Sequence, residues 1–272
     1  MKYITFNQNG GGRSGHHLKE ILTAYVFSFF LKDIQVVSHP SWFNQLILNN
    51  FPDVNQYKEL IDNKTSIVNI HHKKLEWDGM SFDQFSDYLS QINSCPDNSL
   101  IELSGICRVL PYQLSDWYNC DLIKSDIFLE NFVPTIRRLY RQDFFSNPIN
   151  QLSIHARRGD LAGENINNGF SVDFYSQFIS WFLEYFPDTP IKIFSESINC
   201  KDLVNAFSSH PDVQLCLGDS STLKRDIAEM VVSKYFLPSH SSLSTNISYI
   251  STNTTFIPFQ KNIKHFQKNC HW

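Results

Sequence analysis

This sequence carries no excess of basic charge. Its 23 Lys and Arg against 27 Asp and Glu leave a formal charge of −4, which argues against general binding to nucleic acid or an anionic membrane and permits only a local basic pocket. Long apolar runs are also missing. The longest, Tyr25 to Leu31, is bounded by Lys19, Glu20 and Lys32 and is far too short to span a bilayer. Six cysteines (Cys95, Cys107, Cys120, Cys200, Cys216, Cys270) form neither a Cys-x-x-Cys pair nor a zinc-ligand spacing, so they read as reduced thiols of a reducing compartment. Residues Met1 to Phe6 run straight into a glycine loop without a secretory pattern. A cytoplasmic protein is expected, and the sequons at Asn63, Asn246 and Asn253 carry little weight in that setting. There is no P-loop, no dinucleotide fingerprint, no Asp-x-Asp, no internal repeat and no low-complexity tract.

What is present is an ordinary globular composition, 42% apolar and 18% charged over 272 residues, enough for one large or two small domains. Strand and helix patterns alternate along the whole chain. Lys2 to Phe6 reads as a strand, Asn7 to Gly15 as a glycine loop, and His16 to Leu31 as a helix with Leu18, Ile21, Leu22, Tyr25, Val26 and Phe29 at helical spacing. Further strands are expected at Ile34–Ser38, Ser66–Ile70 and Leu100–Leu103, with helices at Ser41–Asn49, Val54–Asp62 and Ser81–Ile92. Leu110–Phe145 reads as mostly helical, with breaks near Asn119 and Pro134. The polar segment Asn147-Pro148-Ile149-Asn150 is the best candidate joint. Beyond it, strands are expected near Leu152–Ala156, Pro190–Phe194, Val213–Leu217, Lys234–Leu237 and Thr255–Ile257. The intervening helices are Val172–Tyr185, Asn199–Phe207, Thr222–Val232 and Thr245–Ser251. This alternation predicts α/β architecture with parallel sheets.

The chemistry concentrates at Ser153-Ile154-His155-Ala156-Arg157-Arg158-Gly159-Asp160. Along a strand His155 and Arg157 share one face while Ala156 and Arg158 take the other. Adjacent arginines at a strand end are costly to desolvate unless an anion or a carboxylate meets them. Open α/β sheets bind ligands at that end, so a phosphate-bearing ligand and a purely structural Arg–Asp cluster are the two readings of the octapeptide. The loop Gly10-Gly11-Gly12-Arg13-Ser14-Gly15 with His16 and His17 makes a second anion-friendly point at a helix start.

Together these segments resemble the fucosyltransferase superfamily of α1,2-, α1,6- and protein O-fucosyltransferases. His155-x-Arg157-Arg158-x-Asp160 is similar to that family's His-x-Arg-Arg-x-Asp motif. Phe194-Ser195-Glu196-Ser197 resembles its second motif, and Asp226-Ile227-Ala228-Glu229-Met230 followed by Ser241-Ser242-Leu243-Ser244 its third. Gly12-Arg13-Ser14-Gly15-His16-His17 is similar to its N-terminal glycine loop, although the His-His pair departs from the usual amide or acid.

The resemblance implies a GT-B fold, two Rossmann-like domains with mostly parallel sheets facing across a cleft. Residues 1–148 would form the acceptor-side domain and residues 149–272 the GDP-sugar-binding domain. It implies inverting, metal-independent transfer of fucose from GDP-fucose to a hydroxyl-bearing acceptor such as a glycan, with no cofactor and no nucleic-acid partner. Arg157 would meet the β-phosphate, since a forked, permanently charged donor can replace a metal there. His155, Gly11, Gly12, Arg13, Arg158, Asp160 and Glu196 would complete the donor site, with Arg158 better read as a support held by Asp160 or another carboxylate. Asp226 is either a reader of the guanine N1–H and amine or a first-turn helix acid. Ser241, Ser242 and Ser244 are either phosphate contacts or helix caps. Glu164 is the candidate base, with His16 and His17 as rivals. His71, His72 and Trp77 either line an acceptor cleft or face solvent. A catalytically silent GT-B binding module and a transferase using another GDP-sugar remain the alternatives.

Overall fold

The computed structural model describes residues 1–7, 14–42, 54–72, 82–105, 133–140, 144–145, 147–158, 170–239, 241–251, 254–258 and 266–269. The chain divides into two compact units, Met1–Tyr140 and Arg141–Trp272.

In the first unit, strands β1 (Lys2–Asn7), β2 (Ile34–Val36), β3 (Ser66–His72) and β4 (Ser99–Gly105) alternate with helices α1 (Ser14–Phe30), α2 (Val54–Asp62) and α3 (Phe82–Ser94). Helix α4 (Val133–Leu139) follows. The strands form one parallel sheet in the order β2-β1-β4-β3. Strand alternation sends Ile4, Phe6, Ile101 and Leu103 into the core. Between α1 and α3, Phe27 stacks on Phe85 with ring centroids 5.2 Å apart. On the opposite face the cross-strand neighbours Thr5 and Glu102 are both buried. There Tyr57 of α2 donates its hydroxyl to Glu102 Oε1 at 2.5 Å; burial and this bond push the phenol pKa up.

The second unit contains strands β5 (Ile149–His155), β6 (Ile191–Glu196), β7 (Val213–Gly218), β8 (Ser233–Leu237), β9 (Thr254–Pro258) and β10 (Phe266–Asn269). Helices α5 (Val172–Tyr185), α6 (Lys201–Phe207), α7 (Leu223–Val232) and α8 (Ser242–Ile250) connect them. The sheet order is β10-β9-β8-β5-β6-β7; β5 to β9 are parallel and β10 pairs antiparallel with β9. Counted from β5, the parallel strands stand in the order fifth, fourth, first, second, third, which is the doubly wound Rossmann order. The direction of winding reverses between β5 and β8, and that crevice is where such sheets take their ligands.

Alternation along β5 sorts its residues by face. Leu152, Ile154 and Ala156 enter a core built with Phe174, Phe178 and Phe182 of α5 and Leu203 and Phe207 of α6. The other face is polar and buried: Gln151 Nε2 donates to Ser153 Oγ (3.0 Å) and to Ser233 Oγ (3.1 Å), and the two hydroxyls stand 2.7 Å apart.

Several expectations shift in detail. Ile149 and Asn150, read as part of a joint, are the first residues of β5, because the sheet pairing with β8 begins there. The break expected near Pro134 falls at the start of α4, where Pro134 lies in the first turn and its missing N–H costs nothing, and residues 106–132 before it lie outside the described residues. Strand β10 has no signature in the sequence; a short edge strand with Gln, Lys and Asn among its residues lacks the apolar alternation that would reveal it. Ser41 and Trp42 form a turn rather than the start of a helix, and the indole N–H of Trp42 donates to Phe6 O at the end of β1 (2.7 Å). The remainder of the helix expected from Ser41 to Asn49, and residues 110–132, lie outside the described residues.

Candidate active site at the end of the central strand

The polar face of β5 ends at His155, beside the β5–β8 crevice. His155 Nδ1 lies 2.5 Å from Ser244 Oγ and 3.0 Å from Ser239 Oγ; the two serine oxygens are 3.1 Å apart. Ser239 follows β8 and Ser244 lies in α8, so the imidazole is held from both elements that form the far side of the crevice. Burial and the neighbouring positive charge of Arg157 push the His155 pKa down to about 4. The ring is therefore neutral through the physiological range.

Ala156 keeps the pairing going one residue further, its N–H donating to Phe194 O at 2.8 Å. Arg157 and Arg158 then part company. Arg158 turns toward the α5–α6 side, where its Nε donates to Asp202 Oδ2 (2.9 Å) and its Nη2 forms an ion pair with the same carboxylate oxygen (2.9 Å). Its Nη1 donates to Arg157 O (2.9 Å), its Nη2 to Phe170 O (3.2 Å), and its guanidinium carbon stands 5.7 Å from the Tyr175 ring centre. Each guanidinium nitrogen has a protein partner, so Arg158, grouped with the donor site but better read as a support, is held as a clamp by the carboxylate of Asp202. It ties the turn after β5 to the start of α5 and to the first turn of α6. Arg157 is half-buried just beyond the end of β5, and its charge acts on the His155 ring.

The neighbouring strand ends continue the same face. Phe194 pairs with His155, so Glu196, two residues on, lies on that face and is half-buried. Glu196 pairs in turn with Gly218 at the end of β7. Over Gly218 sits Asp226, buried in the first part of α7, with Oδ2 accepting from Thr222 Oγ1 (2.7 Å) and Oδ1 accepting from Arg225 Nη2 (3.0 Å). A Cβ on Gly218 would lie 2.5 Å from Asp226 Oδ2 and closer still to Thr222 Oγ1. This close approach is what excludes a larger residue.

The serines divide their work. Ser241 is the N-cap of α8, its Oγ accepting from Leu243 N (3.1 Å) and Ser244 N (3.4 Å). Ser244, expected among the phosphate contacts, is fully buried and directs its hydroxyl at His155 and Ser239. Its role there is to support the histidine. Ser242, the first helical residue, is half-buried and stays at the helix mouth with its N–H outside the Ser241 cap.

Asp160, Glu164, Gly11, Gly12, Arg13 and Trp77 lie outside the described residues. His16 and His17 fall in the first turn of α1, with side chains outside the described set, as is that of His72. His71 is exposed at the end of β3, with its Nδ1 2.9 Å from Ser104 Oγ. Two residues without a distinctive sequence signal hold the site together, Ser239 and Asp202. Ser239 was visible as the leading hydroxyl of Ser239-His240-Ser241-Ser242-Leu243-Ser244, whereas Asp202 resembles any first-turn helix acid.

Two Rossmann-like units with mostly parallel sheets make this the α/β fold of GT-B fucosyltransferases. Among solved structures the chain is similar to POFUT1 in complex with GDP, at 10% identity and a TM-score of 0.53, over 92% of this chain and 94% of that one. It is also similar to a NodZ alpha-1,6-fucosyltransferase soaked with GDP-fucose (12% identity, TM-score 0.47, 98% and 97% covered). A fucosyltransferase NodZ from Bradyrhizobium gives 11% identity and a TM-score of 0.47 with the same coverage. No family model matches the chain, and no curated protein does at the level of sequence. Among the described residues no helix is long and apolar enough to cross a membrane.

Proposed function

We propose that this chain is a glycosyltransferase that moves fucose from GDP-fucose, with inversion, to a hydroxyl of an acceptor, a glycan in the first instance. The observation that carries the reading is the division of labour between the arginines. Arg158 is held by Asp202 and two backbone carbonyls, while the Arg157 charge acts on His155, whose strand end borders the switch point of a doubly wound sheet. A forked cation in that position suits a diphosphate oxygen.

In the reaction the bond between fucose C1 and the β-phosphate oxygen breaks, and its electron pair leaves with GDP. The acceptor oxygen bonds to C1 from the opposite face and gives up its proton to a base. Charge develops on the departing diphosphate, where the Arg157 guanidinium, the His155 ring and the Ser242 N–H at the start of α8 stabilise it. No metal is part of the proposal. His155 is not among the base candidates, because its Nδ1 is already engaged by the Ser244 and Ser239 hydroxyls. Glu164, His16 and His17 are the base candidates. Glu196 continues the site toward the sugar, and Asp226, across Gly218, toward the guanine, where the base would take the place of the exposed Arg225 on Oδ1.

The test is an acceptor array incubated with labelled GDP-fucose, with GDP-mannose as control and GDP release as the readout. Fucose-specific transfer to at least one hydroxyl acceptor is expected. Tight GDP-fucose binding with no release against any acceptor would replace the enzyme by a binding module, and preferential turnover of GDP-mannose would replace the sugar.

A further inference from the structure

We propose that Ser239 and Ser244 are positioning residues that lock His155 in its neutral Nε2–H tautomer, making Nε2 a fixed hydrogen-bond donor beside Arg157 for a phosphate oxygen of a nucleoside diphosphate. The ligand half of this inference rests on the function proposed above; the tautomer half rests on the geometry alone.

Three heavy atoms form a closed triangle: His155 Nδ1, Ser244 Oγ and Ser239 Oγ, with edges of 2.5, 3.0 and 3.1 Å. A fourth group enters it, the Ser239 backbone N–H, which donates to Ser244 Oγ at 3.0 Å. With Nδ1 as an acceptor every proton finds a place: Ser244 O–H donates to Nδ1 along the shortest edge, and Ser239 O–H and N–H both donate to Ser244 Oγ. With a proton on Nδ1 the count fails. The ring then donates into the triangle, no nitrogen lone pair remains there, and the two hydroxyl protons must share the one oxygen–oxygen edge. One of them is left without an acceptor among the described residues. Ser244 is fully buried and Ser239 nearly so, and an unplaced donor in such a site is costly. The Nδ1-acceptor tautomer is thus selected by hydrogen-bond inventory.

The consequence falls on the other nitrogen. Nε2 carries the ring proton, points away from the serines by the geometry of imidazole, and donates to no described residue. His155 is half-buried at the strand end, and the Arg157 charge acts on it directly. The neutral N–H then presents an oriented donor to an anionic oxygen, in a place where the Arg157 positive charge is felt. Protonating the ring would place a second positive charge beside Arg157 and a second donor in the triangle. The device therefore keeps the donor neutral as well as oriented.

The experiment labels histidine with ¹⁵N and reads the ring nitrogens of His155 by long-range ¹H–¹⁵N correlation, with His155→Gln identifying its resonances. Wild-type protein is expected to show an unprotonated Nδ1 and a protonated Nε2 at pH 7, unchanged down to pH 5. Ser239→Ala/Ser244→Ala is expected to give mixed tautomers. An Nδ1–H resonance, or a ring that titrates near its ordinary value, overturns the lock. The donor is read separately through GDP affinity. The Gln amide nitrogen falls near the place of Nε2 and the Asn amide nitrogen near that of Nδ1. His155→Gln should stay within a few-fold of wild type, while His155→Asn should lose about ten- to a hundredfold, the range for a hydrogen bond to a charged group. The reverse order overturns the donor assignment. Failure of wild-type protein to bind GDP at all overturns the functional reading and the ligand half with it, whereas the tautomer is decided by the resonances alone.

Discussion

Gly218→Ala is the smallest change that reaches the Asp226 end of the candidate site. The added methyl would lie 2.5 Å from Asp226 Oδ2 and nearer still to Thr222 Oγ1, so something must move. Thr222 is the side chain able to rotate, but its hydroxyl is committed three times: it donates to Asp226 Oδ2 (2.7 Å) and lies 3.2 Å from both Asp219 O and Asp219 N. Rotation sacrifices at least the bond to the carboxylate, which is worth about 1.5–3 kcal/mol. Staying put requires a backbone shift of β7 or α7, an overpacking cost of about 1–3 kcal/mol. Either route predicts a loss of about 2–3 kcal/mol, measured by urea unfolding. The same substitution in a Thr222→Ala background should cost less, since one of the two obstructing atoms is gone. If Gly218→Ala were as stable as wild type in both backgrounds, the close packing of β7 against the start of α7 would be refuted.

Other expectations bear on the remaining parts of the chain. Because the His155 pKa is lowered from 6.5 to about 4 by folding, the unfolded state binds the proton more tightly. Its contribution is present above the unfolded value and is lost as pH falls from about 6.5 toward 4, up to about 3 kcal/mol; His155→Gln should flatten that part of the stability profile. Asp202→Ala removes the carboxylate that anchors Arg158 and should cost about 1–3 kcal/mol in unfolding experiments. Its donor affinity should fall as well, because the turn carrying Arg157 loses its tether. Tyr57→Phe leaves buried Glu102 without its hydroxyl donor and should cost about 1–3 kcal/mol; the phenol's raised pKa should disappear from the alkaline absorbance titration.

The alternation of strands and helices was legible because each element is long enough to show its own period. Val54–Asp62 and Val172–Tyr185 form as helices with the bounds their patterns suggested, and Leu152, Ile154 and Ala156 share a face as a buried strand must. What the pattern could not supply was long-range pairing. Arg158 had a nearby acid in Asp160, yet the carboxylate that holds it, Asp202, is 44 residues away on α6. Ser244 read as one of three equivalent hydroxyls at a helix start. Only the sheet order, which seats α8 against the end of β5, assigns it to His155, 89 residues distant. Asp226 presents the same difficulty, since its burial over Gly218 depends on β7 ending beside β6.

The central claim is that Arg157 meets the charge that develops on the leaving diphosphate. Its most direct test is single-turnover fucose transfer from GDP-fucose by wild type, Arg157→Ala and Arg157→Lys, with GDP affinity measured on the same preparations. The account predicts a fall in rate of about 10²–10³ for Arg157→Ala, by analogy with a lost oxyanion donor, and only partial recovery in Arg157→Lys, whose point charge lacks the fork. A folded Arg157→Ala protein that transfers fucose at the wild-type rate would contradict it.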